Sequence, residues 1–166
     1  MEKTGSSKQG KVPDLKSALQ KAAHLCSRQE QCSSQIREKL QGWGLSPGDI
    51  EKVIIHLEKE QYLDDRRYAS FYVRDKFRFN GWGRIKLTHM LKHKNIKSAD
   101  ILSALEEINE EDYYRSCLDQ VKRKSATLRD TNMFTRKGKL FRFASGRGFE
   151  PAIVHRAIHE AVEDLS

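Results

Sequence analysis

The 166-residue chain reads as an all-α protein, with three tandem three-helix repeats forming an elongated, curved helical array. Three observations predict this. Apolar residues recur at spacings of three and four along almost every segment, as in amphipathic helices, and nothing alternates apolar and polar residues like a half-buried strand. One five-position apolar pattern occurs three times, with a period near 52 residues. The same kinds of turn residue punctuate each copy.

The pattern begins at Ile36, Leu40, Leu45, Ile50 and Ile54. It returns 51 residues on at Leu87, Leu91, Ile96, Ile101 and Leu105, and a further 53 on at Leu140, Ala144, Phe149, Val154 and Ile158. Before the middle apolar position stand Gly44, Asn95 and Gly148, residue types that tolerate the left-handed conformation closing a helix. Two positions after it come Pro47, Ser98 and Pro151. Proline suits a helix's first turn, where its missing N–H is not needed. Ser46 precedes Pro47 as an N-cap, with Asp49 as the acid of a capping box. Helix, tight turn, helix is thus specified three times.

A further helix precedes each pair. Taken in chain order, residues 1–12 read as a basic, flexible tail. The first repeat, 13–60, opens with a helix over about 14–29 that presents Leu15, Ala18, Leu19, Ala22 and Leu25/Cys26. The second, 61–108, opens over about 65–79 with Tyr68, Ala69, Tyr72, Val73 and Phe77. The third, 109–166, opens over about 110–125 with Tyr114, Cys117, Leu118 and Val121, and carries about nine extra residues near 127–135. Asp14, Asp64 with Asp65, and Asn109 with Glu110 and Glu111 mark the starts, where acids suit the positive end of a helix dipole. Repeats this small are expected to lean on their neighbours. The tripeptide GWG occurs at Gly42–Gly44 and Gly81–Gly83, 39 residues apart and off the register, so it is not the repeat.

The net charge is +8, and it is concentrated. Arg66, Arg67, Arg74, Lys76, Arg78, Arg84, Lys86, Lys92 and Lys94 face Asp75 alone. From Lys122 to Arg147, nine further Lys or Arg face Asp130 alone. Asp100 to Asp112, between them, holds six acids and no base. Two positive zones imply a polyanion or an acidic protein surface as partner. The candidate contacts are the nine of the first zone with Lys122, Arg123, Arg136, Lys137, Lys139, Arg142 and Arg147 of the second. No apolar run reaches membrane-spanning length and the start lacks a signal peptide's apolar centre, so a cytoplasmic protein without membrane contact is expected. Cys26, Cys32 and Cys117 show no CxxC spacing and read as buried or incidental thiols.

Motifs that could carry chemistry are explained more simply by structure. Asp64 and Asp65 lie at a helix entry with no histidine or further acid held nearby, so one reads as the cap and the other as a first-turn acid. His89/His93 and His155/His159 have zinc-compatible spacing, but neither pair forms HExxH, and Lys92 and Lys94 repel a cation. In "RIKLTHMLKHKNIKSADILSAL" the second helix begins with Asp100 and ends with Glu106 and Glu107. Repulsion would keep it from a major groove. No nucleophile–base pair or phosphate-cradling loop supports an enzyme, and no cofactor is expected. Trp82 sits among basic residues where aromatics can stack on bases, yet its flanking glycines favour a packing role.

"YLDDRRYASFYV" (62–73) followed by "GWGRIKLTHMLKHKNI" (81–96) resembles the central signature of the bacterial RecX regulators, with Lys94-Asn95-Ile96 in place of the usual Lys-Gly-Ile. In that signature Tyr62, Leu63, Asp64, Asp65, Gly81, Trp82 and Gly83 read as mainly structural. The resemblance implies a monomeric, non-enzymatic modulator of the RecA recombinase filament on single-stranded DNA, restraining its growth, ATP hydrolysis and strand exchange. Direct contact with single-stranded DNA is implied to be weaker. The basic zones alone suit a RecA–DNA filament and free single-stranded DNA equally well.

Overall fold

The computed structural model describes residues 10–163. Most of the expected tail, with residues 164–166, lies outside the described residues. Those described hold nine α-helices and no strand: α1 (Leu15–Arg28), α2 (Ser33–Gly42), α3 (Pro47–Lys59), α4 (Asp65–Asn80), α5 (Arg84–His93), α6 (Ser98–Glu106), α7 (Glu110–Thr127), α8 (Met133–Gly146) and α9 (Pro151–Glu163). They group as three three-helix domains in tandem, and in each the first helix packs on the third. The chain divides into two compact units, residues 1–64 and 65–166.

All fifteen register positions are buried, and their turns are built alike. Gly44, Asn95 and Gly148 have φ of 87°, 58° and 91°. The next residue's N–H reaches back to the carbonyl five positions earlier: Leu45 to Leu40 at 3.2 Å, Ile96 to Leu91 at 3.2 Å and Phe149 to Ala144 at 3.3 Å. This is the Schellman closure, which satisfies carbonyls left open at a helix end. Pro47, Ser98 and Pro151 each then open the following helix. Ser46 Oγ accepts the Asp49 N–H at 3.2 Å, while the Asp49 carboxylate lies 3.2 Å from Lys52 Nζ.

In the first unit Ala18 and Ala22 of α1 meet Ile36, Leu40, Val53, Ile54 and Leu57, with Leu63 closing the cluster. Asp14 caps α1 by accepting the Ser17 N–H at 2.7 Å. In the second unit Asn109 Oδ1 caps α7 by accepting the N–H groups of Glu111 and Asp112 at 2.9 and 3.0 Å. Asp65 is the first residue of α4, and Asp64 precedes it.

The chief departure from the sequence reading lies on α7. Tyr113 is fully buried, whereas the expected core residue Tyr114 is only partly so. The Tyr113 ring packs against Phe77 of α4 and Phe149 before α9, with centroids 5.9 and 5.2 Å apart. It fills the seam between the second and third repeats, which the periodicity of a single helix does not reveal.

Candidate functional site

The Gly81–Trp82–Gly83 turn, at the centre of the first basic zone, is the seam's backbone joint. Gly83 N–H donates to Arg147 O at 2.8 Å and Ile85 N–H to Gly148 O at 3.0 Å. A Cβ on Gly83 would lie 2.3 Å from the carbonyl carbon and oxygen of Gly148, and one on Gly148 would lie 2.3 Å from Lys86 Cβ. Gln120 spans the joint, donating to Gly81 O at 3.1 Å and accepting from Arg147 Nε at 3.0 Å. Arg147 also donates to Asn80 O. Close approach of two backbones explains both glycines.

Several expected contact residues are thereby occupied. Arg84 N–H donates to Tyr113 Oη at 2.9 Å, and its guanidinium stands 3.9 Å from the Tyr113 ring centroid. That guanidinium pairs with Glu110 at 2.5 Å and Glu150 at 3.6 Å. Tyr113 Oη donates to Glu150 at 2.5 Å. Burial, reinforced by that hydrogen bond, holds the phenol well above its ordinary pKa. Arg136 closes the inserted loop after α7, donating to Ser125 O at 2.6 Å, Ser125 Oγ at 2.9 Å and Leu128 O at 3.1 Å. Lys139 holds both Asp130 oxygens at 2.8 and 2.9 Å, and this hydrogen bonding keeps the Asp130 carboxyl below its usual pKa. Arg84, Arg136, Lys139 and Arg147 are therefore structural cations.

A second group surrounds an aromatic stripe. Tyr68, Tyr72 and Trp82 follow one another with centroids 5.8 and 6.5 Å apart. Lys86 Nζ lies 4.5 Å from Trp82, Lys76 Nζ 5.8 Å from Tyr72, and Lys94 Nζ 6.0 and 5.9 Å from Tyr68 and Tyr72. Lys76 also pairs with Asp75 at 3.3 Å. Trp82 is half-buried, its ring tilted against that of Tyr72. Cation–π contacts of this kind orient an ammonium without neutralising it. Arg78 similarly lies 5.4 Å from the exposed Phe79.

The remaining candidates lie on exposed helix surfaces. Arg74 meets Glu107 at 3.6 Å, Arg66 meets Ser103 Oγ at 3.5 Å, and Arg123 donates to Asp119 O within its own helix at 3.3 Å. Arg67 is exposed and Lys122 half-buried, each with an interaction. Lys92, Lys137 and Arg142 are exposed and make no hydrogen bond or ion pair among the described residues. Sequence reasoning did not anticipate the acids Glu110 and Glu150, which neutralise Arg84 from outside its own repeat. The available signal was Gly83, a glycine that no helix end requires.

Among the described residues no three His, Cys, Asp or Glu side chains cluster to hold a metal ion. The His89 and His93 rings meet edge-on at 4.6 Å, His155 lies against Phe141 at 4.9 Å, and His159 pairs with Glu163 at 3.2 Å. Cys32 and Cys117 are buried thiols, and Cys26 is half-buried. Burial pushes the Cys117 thiol up to about 12. No described helix is long and apolar enough to cross a membrane.

Comparison with known proteins matches family models for the first, second and third three-helix domains of RecX at residues 18–57, 64–105 and 110–158. "Regulatory protein RecX" of Clostridium botulinum (strain Eklund 17B / Type B) is 32% identical over 130 residues, covering 77% of this chain and 60% of that protein. Its counterpart in Prosthecochloris aestuarii is 31% identical over 147 residues, covering 89% and 95%. The crystal structure of RecX from Lactobacillus salivarius superposes with a TM-score of 0.82 at 19% identity, covering 92% of this chain and 98% of that one. A crystal structure titled regulatory protein RecX gives 0.76 at 22% identity, covering 85% and 71%. Three domain matches in order, reinforced by relatives above 30% identity, show that the chain belongs to the RecX family.

Proposed function

We propose that this protein is a non-enzymatic regulator that binds the RecA filament on single-stranded DNA and restrains its ATPase activity, growth and strand exchange. It acts as a cytoplasmic monomer in the control of recombination and repair. Membership of a family whose curated members are named regulatory proteins supports the regulatory role. The observation that carries the partner assignment is the surviving surface charge. Once the four structural cations are set aside, Lys86 remains over the Trp82 ring, and Lys92, Lys137 and Arg142 remain exposed. Such charge steers association with an acidic filament and orients the docked protein.

The test is DNA-stimulated ATP hydrolysis by RecA, titrated with this protein. Inhibition at less than one copy per RecA is the expected result. Hydrolysis unchanged at saturating protein would refute the proposal. The Trp82–Lys86 contact also suits a free-standing single-strand binding protein, since an aromatic beside a cation is a stacking platform. That reading requires tight, steeply salt-dependent oligonucleotide binding together with indifference to RecA.

A further inference from the structure

The three repeats close the cleft between their second and third helices in three different ways. The positions that follow the first and fourth register residues face one another across it. In the first repeat these are Arg37 and Glu51, an ion pair. In the second they are Thr88 and Leu102, lining a small groove of about 230 Å³. In the third they are Phe141 and His155, whose rings lie 4.9 Å apart in a groove of about 560 Å³. Only this third cleft combines aromatic walls with uncommitted cations. Phe134 stands at its rim and is 89% exposed, Ile158 forms part of the floor, and Lys137 and Arg142 flank it. Among the described residues no acidic side chain lines it.

Gly138 is the telling residue. It lies inside α8, where glycine is destabilising relative to alanine. Packing does not require it, because an added Cβ would meet only Arg142 Nη1, at 3.7 Å. Phe134, Gly138 and Phe141 share one helix face at spacings of four and three. The glycine therefore leaves a recess between two aromatic rings, with only the mobile tip of the Arg142 side chain against it. Neither the helix's stability nor its packing accounts for such a slot.

We propose that the α8–α9 groove is a single-stranded nucleic-acid site that stacks an unpaired base between Phe134 and the Phe141–His155 pair. Lys137 and Arg142 hold the flanking phosphates. Flat apolar walls with cations at the edge match a base and its backbone, and stacking requires a base that is not already paired within a duplex. The groove gives a location to the nucleic-acid contact within the proposed function and rests on that reading for its biological setting. Its test does not depend on RecA.

The experiment is fluorescence anisotropy of the full chain with a labelled oligothymidylate, set beside a blunt duplex of equal length. Phe134→Ala should weaken oligonucleotide binding roughly tenfold, the loss expected for one stacked base, with Tm unchanged. Gly138→Leu fills the slot and should weaken binding similarly at equal or higher Tm. Lys137→Gln with Arg142→Gln should flatten the salt dependence by about 1.4 in log–log slope, at about 0.7 per single-strand phosphate. The duplex should bind more weakly and ignore Phe134→Ala. No measurable binding by the parent, or affinities within twofold of the parent for both Phe134→Ala and Gly138→Leu, overturns the proposal. So does loss of RecA inhibition in these variants at unchanged oligonucleotide affinity, which would make the groove a protein contact. If the parent leaves RecA unaffected while its oligonucleotide binding depends on Phe134, the groove stands and the regulator reading falls.

Discussion

Gly42–Trp43–Gly44 and Gly81–Trp82–Gly83 are the same tripeptide in two different roles. In the first, Gly42 ends α2, Trp43 caps it and Gly44 turns left-handed, all to finish one helix. In the second, Gly81 turns at φ 62°, Trp82 packs on Tyr72, and Gly83 lies flat against Gly148 of the next repeat. One turn serves its own helix, whereas the other fastens two repeats. Identical residues thus acquire different roles from what their backbone touches, and single substitutions should separate them.

Gly83→Ala should have the largest effect. Its Cβ would meet the backbone of Gly148, which cannot move aside as a side-chain tip can. Overpacking of this severity costs about 3 kcal/mol. Urea denaturation should register the loss, and hydrogen exchange should place it along the seam of the second and third repeats. Tyr113→Phe comes next, keeping the ring but leaving the Arg84 N–H without its acceptor and Glu150 without its phenol donor, at about 1.5 kcal/mol. It should also change the alkaline limb. The raised phenol pKa stabilises the fold fully below the unfolded value of about 10 and progressively less as pH rises toward the folded value. Stability plotted above pH 10 should therefore fall less steeply in Tyr113→Phe than in the parent.

Gly44→Ala should cost about 1 kcal/mol, the penalty of a left-handed alanine, confined to the first repeat. Gly42→Ala should be the mildest. Nothing lies within 4 Å of its added Cβ, and alanine favours the helix end by about 0.5 kcal/mol, so Tm should hold or rise slightly. Equal effects of Gly42→Ala and Gly83→Ala would dissolve the distinction between the two turns.

The helices and turns were legible because each follows from local chemistry. The fifteen register positions, the left-handed Gly44, Asn95 and Gly148, and the Asp14, Ser46 and Asn109 caps depend on neighbours within a few residues. The seam was not legible in this way. Arg84 draws its partners from Glu110 and Glu150, 26 and 66 positions away, and Tyr113 differs from Tyr114 only in which way α7 faces. The basic zones were visible as composition. Which of their members serve the fold depends on long-range pairing, and spacing along one helix does not encode it.

The basic residues divide into cations that hold the fold and cations left exposed. Inhibition of DNA-stimulated RecA ATPase should be titrated for two variants, with Tm recorded for each. Lys92→Gln with Lys137→Gln and Arg142→Gln should raise the half-inhibitory concentration by roughly tenfold through lost electrostatic steering, at the parent's Tm. Arg136→Gln with Arg147→Gln should lower Tm by several degrees, because both guanidinium groups satisfy carbonyls in the fold. A triple variant that inhibits as well as the parent, or a double variant as stable as the parent, would contradict that division.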